Sequence, residues 1–325
     1  MSDTTIRATG AADRTASRPS APAPASAPTA TPDAARPAAV RRVNRLRYVL
    51  REGVRRGGRE LHQIATTKQD LAANLVWLVG LLAPLYMLRD EQLADTGMTV
   101  AGFLLPSLMS MCVAFNGMLG LTQQLIVERQ DGTLLRLKAL PHGMPAYLVG
   151  KLVSVSGTVL SACAVVALTG IVMLPDVSAA DPGLWAALAW ALPLGLLAML
   201  PVGAILGSLI DSPRNLGLVM LPLFGLASVS GIFYPASQLP IWVQHLAEIF
   251  PLYWIGLAAR SALLPDSAVA AEIGDSWRHA ETVGVLGVWA VAGLLIAPVV
   301  LRRMARRESG SVMATRRERA LQRPL

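Results

Sequence analysis

The chain has 325 residues, of which 53% are hydrophobic and only 15% charged, and it carries a formal net charge of +8. A soluble globular protein carries roughly 25% charged residues, so the composition excludes an ordinary water-soluble domain and points to a membrane protein. The excess of 29 Lys and Arg over 21 Asp and Glu would suggest nucleic acid only if it formed a basic face on a soluble domain; here the basic residues flank apolar runs, and no nucleic-acid partner is expected.

Residues 1–44 are Ala, Pro, Ser and Thr in low-complexity order, too poor in apolar groups to bury a core. A disordered tail is expected there. A secretory signal needs an apolar stretch of about 7–15 residues soon after its first charges, and none occurs before residue 71, which predicts that the tail stays on the cytoplasmic side. Next comes "RLRYVLREGVRRGGRELHQI". Arg47, Arg51, Arg55 and Arg59 recur every four residues, while Leu46, Leu50, Val54, Leu61 and Ile64 fall mostly on another face, the pattern of an amphipathic helix at a membrane surface. Gly53, Gly57 and Gly58 weaken that helix.

A bilayer core of about 30 Å needs about 20 apolar residues of helix. Six segments qualify, at approximately 71–88, 98–126, 147–174, 184–210, 216–234 and 282–301. Pro84, Pro106, Pro193, Pro201 and Pro222 inside them are tolerated where neighbouring helices satisfy the freed carbonyls. Lys and Arg accumulate in cytoplasmic loops. With six spans, all but Arg89, Arg260 and Arg278 of the basic residues fall on one side, which predicts cytoplasmic termini. Residues 306–325 are expected to form a basic cytoplasmic tail, and Arg302, Arg303, Arg306, Arg307, Arg316, Arg317 and Arg319 to hold the end of the last span inside, with anionic lipid headgroups as an additional contact.

Between the second and third spans lies "VERQDGTLLRLKALPHGMPAYLVGK", residues 127–151. Placing Arg129, Arg136 or Lys138 at mid-bilayer would cost about 2.5–3.5 kcal/mol each, so the chain leaves the membrane here. Thr133 or Asp131 can cap a helix and Pro141 ends it. Leu134, Leu137 and Leu140 form one apolar edge. So short a helix is unstable alone; it docks either in a partner's groove or at the interface as a turn back to the membrane. The residue pattern leaves both open.

After the fifth span, Pro240, Pro251 and Pro265 break residues 235–281 into two half-helices, near 240–249 and 252–264. Trp242, Phe250, Tyr253 and Trp254 fit an interfacial aromatic belt better than a substrate cage. Asn116, Gln123, Gln124, Ser154, Ser156 and Thr158 are uncharged polar groups within spans, expected to bond across helices, a minority lining a path. Gly203 and Gly207 form a GxxxG that permits close helix contact. Cys112 and Cys163 lie in apolar runs and read as small buried thiols.

Several functions are disfavoured. No GxxxxGK(S/T) phosphate loop exists, so ATP is not hydrolysed here by that route, and no metal or cofactor site is expected. Apart from Lys151 near one end, no ionisable group sits deep in a span, against an ion-coupled transporter. His62, His142, His245 and His279 lie outside the spans and no GxSxG nucleophile motif is present, against an intramembrane hydrolase.

Glu128, Arg129, Gly132, Thr133, Leu134, Arg136, Leu137, Pro141, Gly150 and Lys151 resemble the "ER..GTL.RL...P.......GK" passage of type-2 ABC exporter permeases, the family that includes daunorubicin-resistance-type drug exporters. "SGIFYPASQLPIWVQHLAEIFPLYW", residues 230–254, is similar to that family's second signature. The chain departs from the first pattern at Gln130, Asp131 and Leu135. The resemblance covers residues 45–305 and implies an all-α polytopic membrane protein: six transmembrane helices, an N-terminal interfacial helix, a short cytoplasmic coupling helix and re-entrant outer half-helices before the last span. It implies that Glu128, Arg129, Gly132, Thr133, Leu134, Arg136 and Leu137 contact a separate ATP-binding subunit, which itself holds ATP and Mg. It further implies an outer gate of Gly231, Phe233, Tyr234, Pro235, Pro240, Trp242 and Pro251, a second permease copy or paralogue, and a bacterial cell membrane. Export of a hydrophobic or amphipathic compound is the function implied. The alternatives are export of a lipid-linked glycan or envelope polymer, and a non-transporting scaffold or immunity protein.

Overall fold

The computed structural model describes residues 38–92, 99–140, 143–174, 180–210, 212–232 and 236–307. The tails and Phe233, Tyr234, Pro235, Pro141 and His142 lie outside the described residues. The described residues are mostly helical, and the only β-type pairing among them is an isolated bridge between Gln92 and Thr99.

Helix α1 spans Ala38–Thr66 and α2 Lys68–Met87, separated at Thr67 by one extended residue. Helix α3, Val100–Met111, runs through a π-helical stretch, Cys112–Leu119, into α4, Gly120–Gln130. Then follow α5 (Thr133–Lys138), α6 (Gly143–Met173) and α7 (Pro182–Leu209). A 3-10 turn, Pro213–Leu216, leads into α8 (Gly217–Val229), and α9 (Ile241–Ile249), α10 (Pro251–Leu263) and α11 (His279–Arg307) complete the chain. Five helices are long and apolar enough to cross a membrane: Lys68–Met87, Val100–Gln130, Gly143–Met173, Pro182–Leu209 and His279–Met304. Each lies within a few residues of a predicted span. The fold is that of an all-α polytopic membrane protein.

The forecast fifth span, 216–234, is shortened. The apolar helix runs Arg214–Val229, about 24 Å at 1.5 Å per residue, and ends because Gly231 takes the left-handed conformation at φ +70°, as a glycine beyond a helix C-cap commonly does. A return pass is nevertheless built into the connectivity. Trp190 of α7 meets His279 of α11, and Pro201 meets Gly293, so α7 and α11 run side by side in the same direction. Residues 210–278 must therefore travel back along the bundle, and α8 makes that pass.

Small residues set the spacing between helices. A Cβ on Gly203 would lie 2.4 Å from the Met118 carbonyl oxygen, and one on Gly207 2.9 Å from Leu125 Cβ, so the GxxxG pair does bring α7 against the α3–α4 helix. Thr122 Oγ1 then donates across the contact to the Gly203 carbonyl at 3.0 Å. On the opposite wall Gly170 receives Leu105, and Cys163 donates weakly to the Met109 carbonyl, making α6 antiparallel to α3. Both cysteines are free and buried, as expected.

These registers gather the α4–α5 turn, the start of α6, the end of α7 and the end of α11 at one end of the bundle. Arg129, Arg136, Lys151, Arg214, Arg302 and Arg303 make this the basic end. The α2–α3 turn with Arg89, the start of α7 and the start of α11 with Arg278 occupy the far end.

Helix α1 departs from a freely lying surface helix. Gly53 packs on Val149, Gly57 on Gly150 and Val153, and Leu61 on Gly157; successive turns of α1 thus meet successive turns of α6. The glycines that weaken the helix by propensity let its backbone approach a neighbour, while Leu46, Leu50 and Val54 remain exposed beside the exposed Arg47, Arg51, Arg55 and Arg59. A Cβ at Gly57 would sit 2.4 Å from the Gly150 carbonyl oxygen, whereas one at Gly58 meets nothing within 4 Å. Gly57→Ala is therefore expected to cost about 1–3 kcal/mol through overpacking, and Gly58→Ala to gain roughly 0.5–1 kcal/mol in helix propensity. Thermal unfolding of the two variants in detergent, shifted in opposite directions, checks this.

Candidate functional site

At the basic end, Lys151 reaches inward from the third turn of α6 and is almost completely buried. A buried ammonium is stable only when paired. Its Nζ contacts carboxylate oxygens of Glu60 on α1 and Glu128 on α4 and donates to Gln124 Oε1 at 3.1 Å. Three helices converge on one cation. Beside it Arg56 lies over the Tyr147 ring, 5.2 Å from its centroid. An open cleft of about 800 Å³ runs along this cluster, lined by Arg59, Gln63, Gln123, Glu128, Thr133 and Lys151 among others. It is large and polar enough to admit water to Glu128 Oε2, a buried oxygen with no hydrogen-bond partner among the described residues.

The short helix starts from this cleft. Gly132, at φ +72°, occupies the N-cap position and gives α5 its sharp entry. Neither Thr133 nor Asp131 acts as the expected side-chain cap, because the glycine's left-handed turn occupies the capping position. Gly143 closes the exit, where a Cβ would lie 2.2 Å from the Leu137 carbonyl oxygen. Leu134 and Leu137 are 2% and 7% exposed and belong to the chain's own core, with α5 packed on α4, α6 and α11. Two of the three leucines on the forecast edge thus point into this chain. Leu140, 58% exposed, and Arg136 face outward. Thr133 is half-buried in the cleft, Arg129 sits half-buried in the last turn of α4, and Glu128 belongs to the lysine cluster.

The far end holds a second cluster that the sequence reading missed. Arg260 of α10 and Glu272, 1% and 3% exposed at their side chains, form a two-pronged pair: Nε contacts Oε1, and Nη2 donates to Oε2 at 3.1 Å. Nη1 donates to the Gly231 carbonyl at 3.0 Å. The turn that ends α8 is thereby fastened to α10. An arginine inside the otherwise apolar "PLYWIGLAARSAL" was the available signal. Nearby, Arg278 contacts Glu248 and lies over the Trp254 ring at 4.8 Å, and Trp254 Nε1 donates to the Glu248 carbonyl at 2.7 Å. Partial burial lowers the Arg278 pKa, and its hydrogen bond and charge contact with Glu248 outweigh this, leaving it raised.

Of the forecast outer-gate residues, Gly231 lies inside this cluster, Pro240 caps α9, Pro251 opens α10 as a buried N1 proline, and Trp242 is 70% exposed. Tyr253 and Trp254 are buried and Phe250 stacks on Trp289, so Trp242 alone of the four aromatics keeps the open exposure of a belt residue. Among the mid-span polar groups, Gln124 bonds across helices, whereas Ser154 and Thr158 return to carbonyls of their own helix.

The five long apolar helices make this bundle that of a multi-pass membrane protein. The sequence profile described as ABC-2 family transporter protein matches residues 81–299, and the chain belongs to that family as a membrane permease of an ABC transporter. No curated relative matches the chain.

Removing the ammonium would leave the partly buried carboxylates of Glu60 and Glu128 close together with no cation between them. Lys151→Met is expected to cost about 3–5 kcal/mol, and Glu60→Gln in that background to recover part of the loss. Denaturation midpoints of the single and double variants measure both.

Proposed function

We propose that this chain is the membrane-spanning subunit of an ATP-driven exporter that moves a hydrophobic or amphipathic compound out of the cell, with ATP and Mg bound by a separate subunit docked at the basic end. The supporting observation is the construction of α5. Leu134 and Leu137 are buried where it packs on α4, α6 and α11, while Arg136 and, just beyond the helix, Leu140 are exposed. A lever needs one face fixed to what it moves and another open to what pushes it. On this reading Leu134 and Leu137 are the fixed face, Arg136, Leu140 and Thr133 are the contact face, and Glu128, Arg129 and Gly132 set the hinge.

The segregation of basic groups to one end supports cytoplasmic termini through the same rule that governs loop charge. Helices α2 and α8 are the least covered by their own chain, with Val76, Leu218 and Leu221 among their exposed side chains; a second permease copy covers them. The cargo path runs past the π-helical stretch. There Asn116 has no side-chain hydrogen bond among the described residues, and Phe115 packs against Phe224 of α8 with ring centroids 4.9 Å apart. An uncharged amide next in the chain to an aromatic pair suits an amphipathic molecule, which favours a drug-like or natural-product cargo over a glycan. The turn held by Arg260 and Glu272, with Gly231, Pro240, Trp242 and Pro251, closes the far exit.

The test is ATP-driven uptake of a labelled amphipathic compound into inverted vesicles containing this chain and a candidate ATP-binding subunit. Arg136→Glu is expected to lower transport at least tenfold while leaving the thermal midpoint unchanged, because the side chain is exposed; Leu134→Ala is expected to lower transport and to destabilise by about 2–5 kcal/mol. ATP hydrolysis by the purified chain alone, or full transport with Arg136→Glu, would refute the arrangement.

A further inference from the structure

Behind the lysine cluster, on the other side of α6, lies a second and quite different cavity. It is about 290 Å³ in volume, and its walls come from α1, α4, the first turns of α6, α7 and α11. Its origin is physical. Gly293 lets α11 touch Pro201 of α7, but one turn further along, the facing positions are Ala204 and Ala297, whose methyl groups are too small to fill the space between the helices. Pro145, Pro201 and Pro298 also line the void, and a proline ring disrupts the regular turn preceding it.

The lining is almost wholly apolar, so ordered water has too few partners to occupy it. Leu294, a wall residue, is also exposed on the outer face of α11 together with Leu295, Ile296 and Val299. In a chain that spans a membrane, this face meets acyl chains, and Leu294 is shared between it and the cavity wall. Two cations border the void. The charge of Lys151 is already matched by Glu60 and Glu128. Arg302 is exposed, two turns beyond Leu294 on α11, and no carboxylate lies within ion-pair distance of it among the described residues. Arg303 follows it.

We propose that this cavity binds one anionic phospholipid from the leaflet at the basic end, with an acyl chain lying between Leu148, Leu152, Ala204 and Ala297 and the headgroup phosphate on Arg302. The apolar volume selects a hydrocarbon chain and the unmatched guanidinium selects a net negative headgroup. Val49 of α1 forms part of the same wall, so a bound lipid also packs against α1 where it docks on α6. The site does not depend on the direction of transport or on the cargo.

Native mass spectrometry of the full chain, released from micelles containing equal amounts of phosphatidylglycerol and phosphatidylcholine with identical acyl chains, tests this. The wild type is expected to retain one phosphatidylglycerol per chain with a preference on the order of fivefold, the effect of one favourable surface charge. Arg302→Gln is expected to abolish the preference without moving the thermal midpoint, and Ala297→Leu, which fills the cavity, to release the bound lipid whatever its headgroup. Equal retention of the two lipids by the wild type overturns the proposal, as does an undiminished preference in Arg302→Gln, a variant at an exposed position that reads out even if Ala297→Leu fails to fold. Displacement of the lipid by soluble glycerol phosphate would also overturn it, since that outcome assigns the site to the phosphate alone.

Discussion

One buried ammonium organises the basic end. Helix α1 lies along α6 through a seam of glycines, and the six-residue α5 is held by buried Leu134 and Leu137. Lys151 gives both a reference point: its pairing with Glu60, Glu128 and Gln124 joins α1, α4 and α6 at a single position. A charge in that position is costly to leave alone, so the three helices move together or the pairing breaks. The turn into α5 begins four residues after Glu128. Helix α5 is thus joined to α4, α6 and α11 by its own packing, and to α1 by way of Glu128 and the lysine.

The far end repeats the principle with different groups. Arg260 and Glu272 are both buried, and the guanidinium has a third contact to the Gly231 carbonyl. Its planar fork suits a task that needs three directed bonds, which an ammonium would satisfy less rigidly. Between the two polar locks the helices are held by shape, with Gly203, Gly207, Gly170 and Gly293 each accommodating a neighbour's backbone or side chain. The bundle thus has polar locks at its ends and close apolar contact along its length.

Much of this was legible in the sequence. Five spans were readable because a long apolar run has few alternative structures, and α9 and α10 because Pro240 and Pro251 punctuate them. The inward turn of Leu134 and Leu137 was not readable. A leucine edge at helical spacing looks the same whether it meets a partner or the chain's own core, and only the tertiary position of α5 decides. The partners of Lys151 lie 91 and 23 residues away in sequence, on helices whose relative rotation no local pattern encodes. Gly53 and Gly57 were readable as helix weakeners but not as a docking seam, because that role belongs to α6. The end of α8 was misjudged because Ile232, Phe233 and Tyr234 continue the apolar run beyond the point where Gly231 turns the backbone.

The π-helical stretch from Cys112 to Leu119 has a further geometric effect. Hydrogen bonds that reach one residue further round than in an α-helix advance each side chain by a smaller angle. Over eight residues that deficit accumulates into a change of phase between the two halves of a single rod. Side chains of α3 and α4 that a uniform 3.6-residue winding would align along one meridian instead diverge, so a helical wheel drawn through the whole segment misassigns one half's faces relative to the other's.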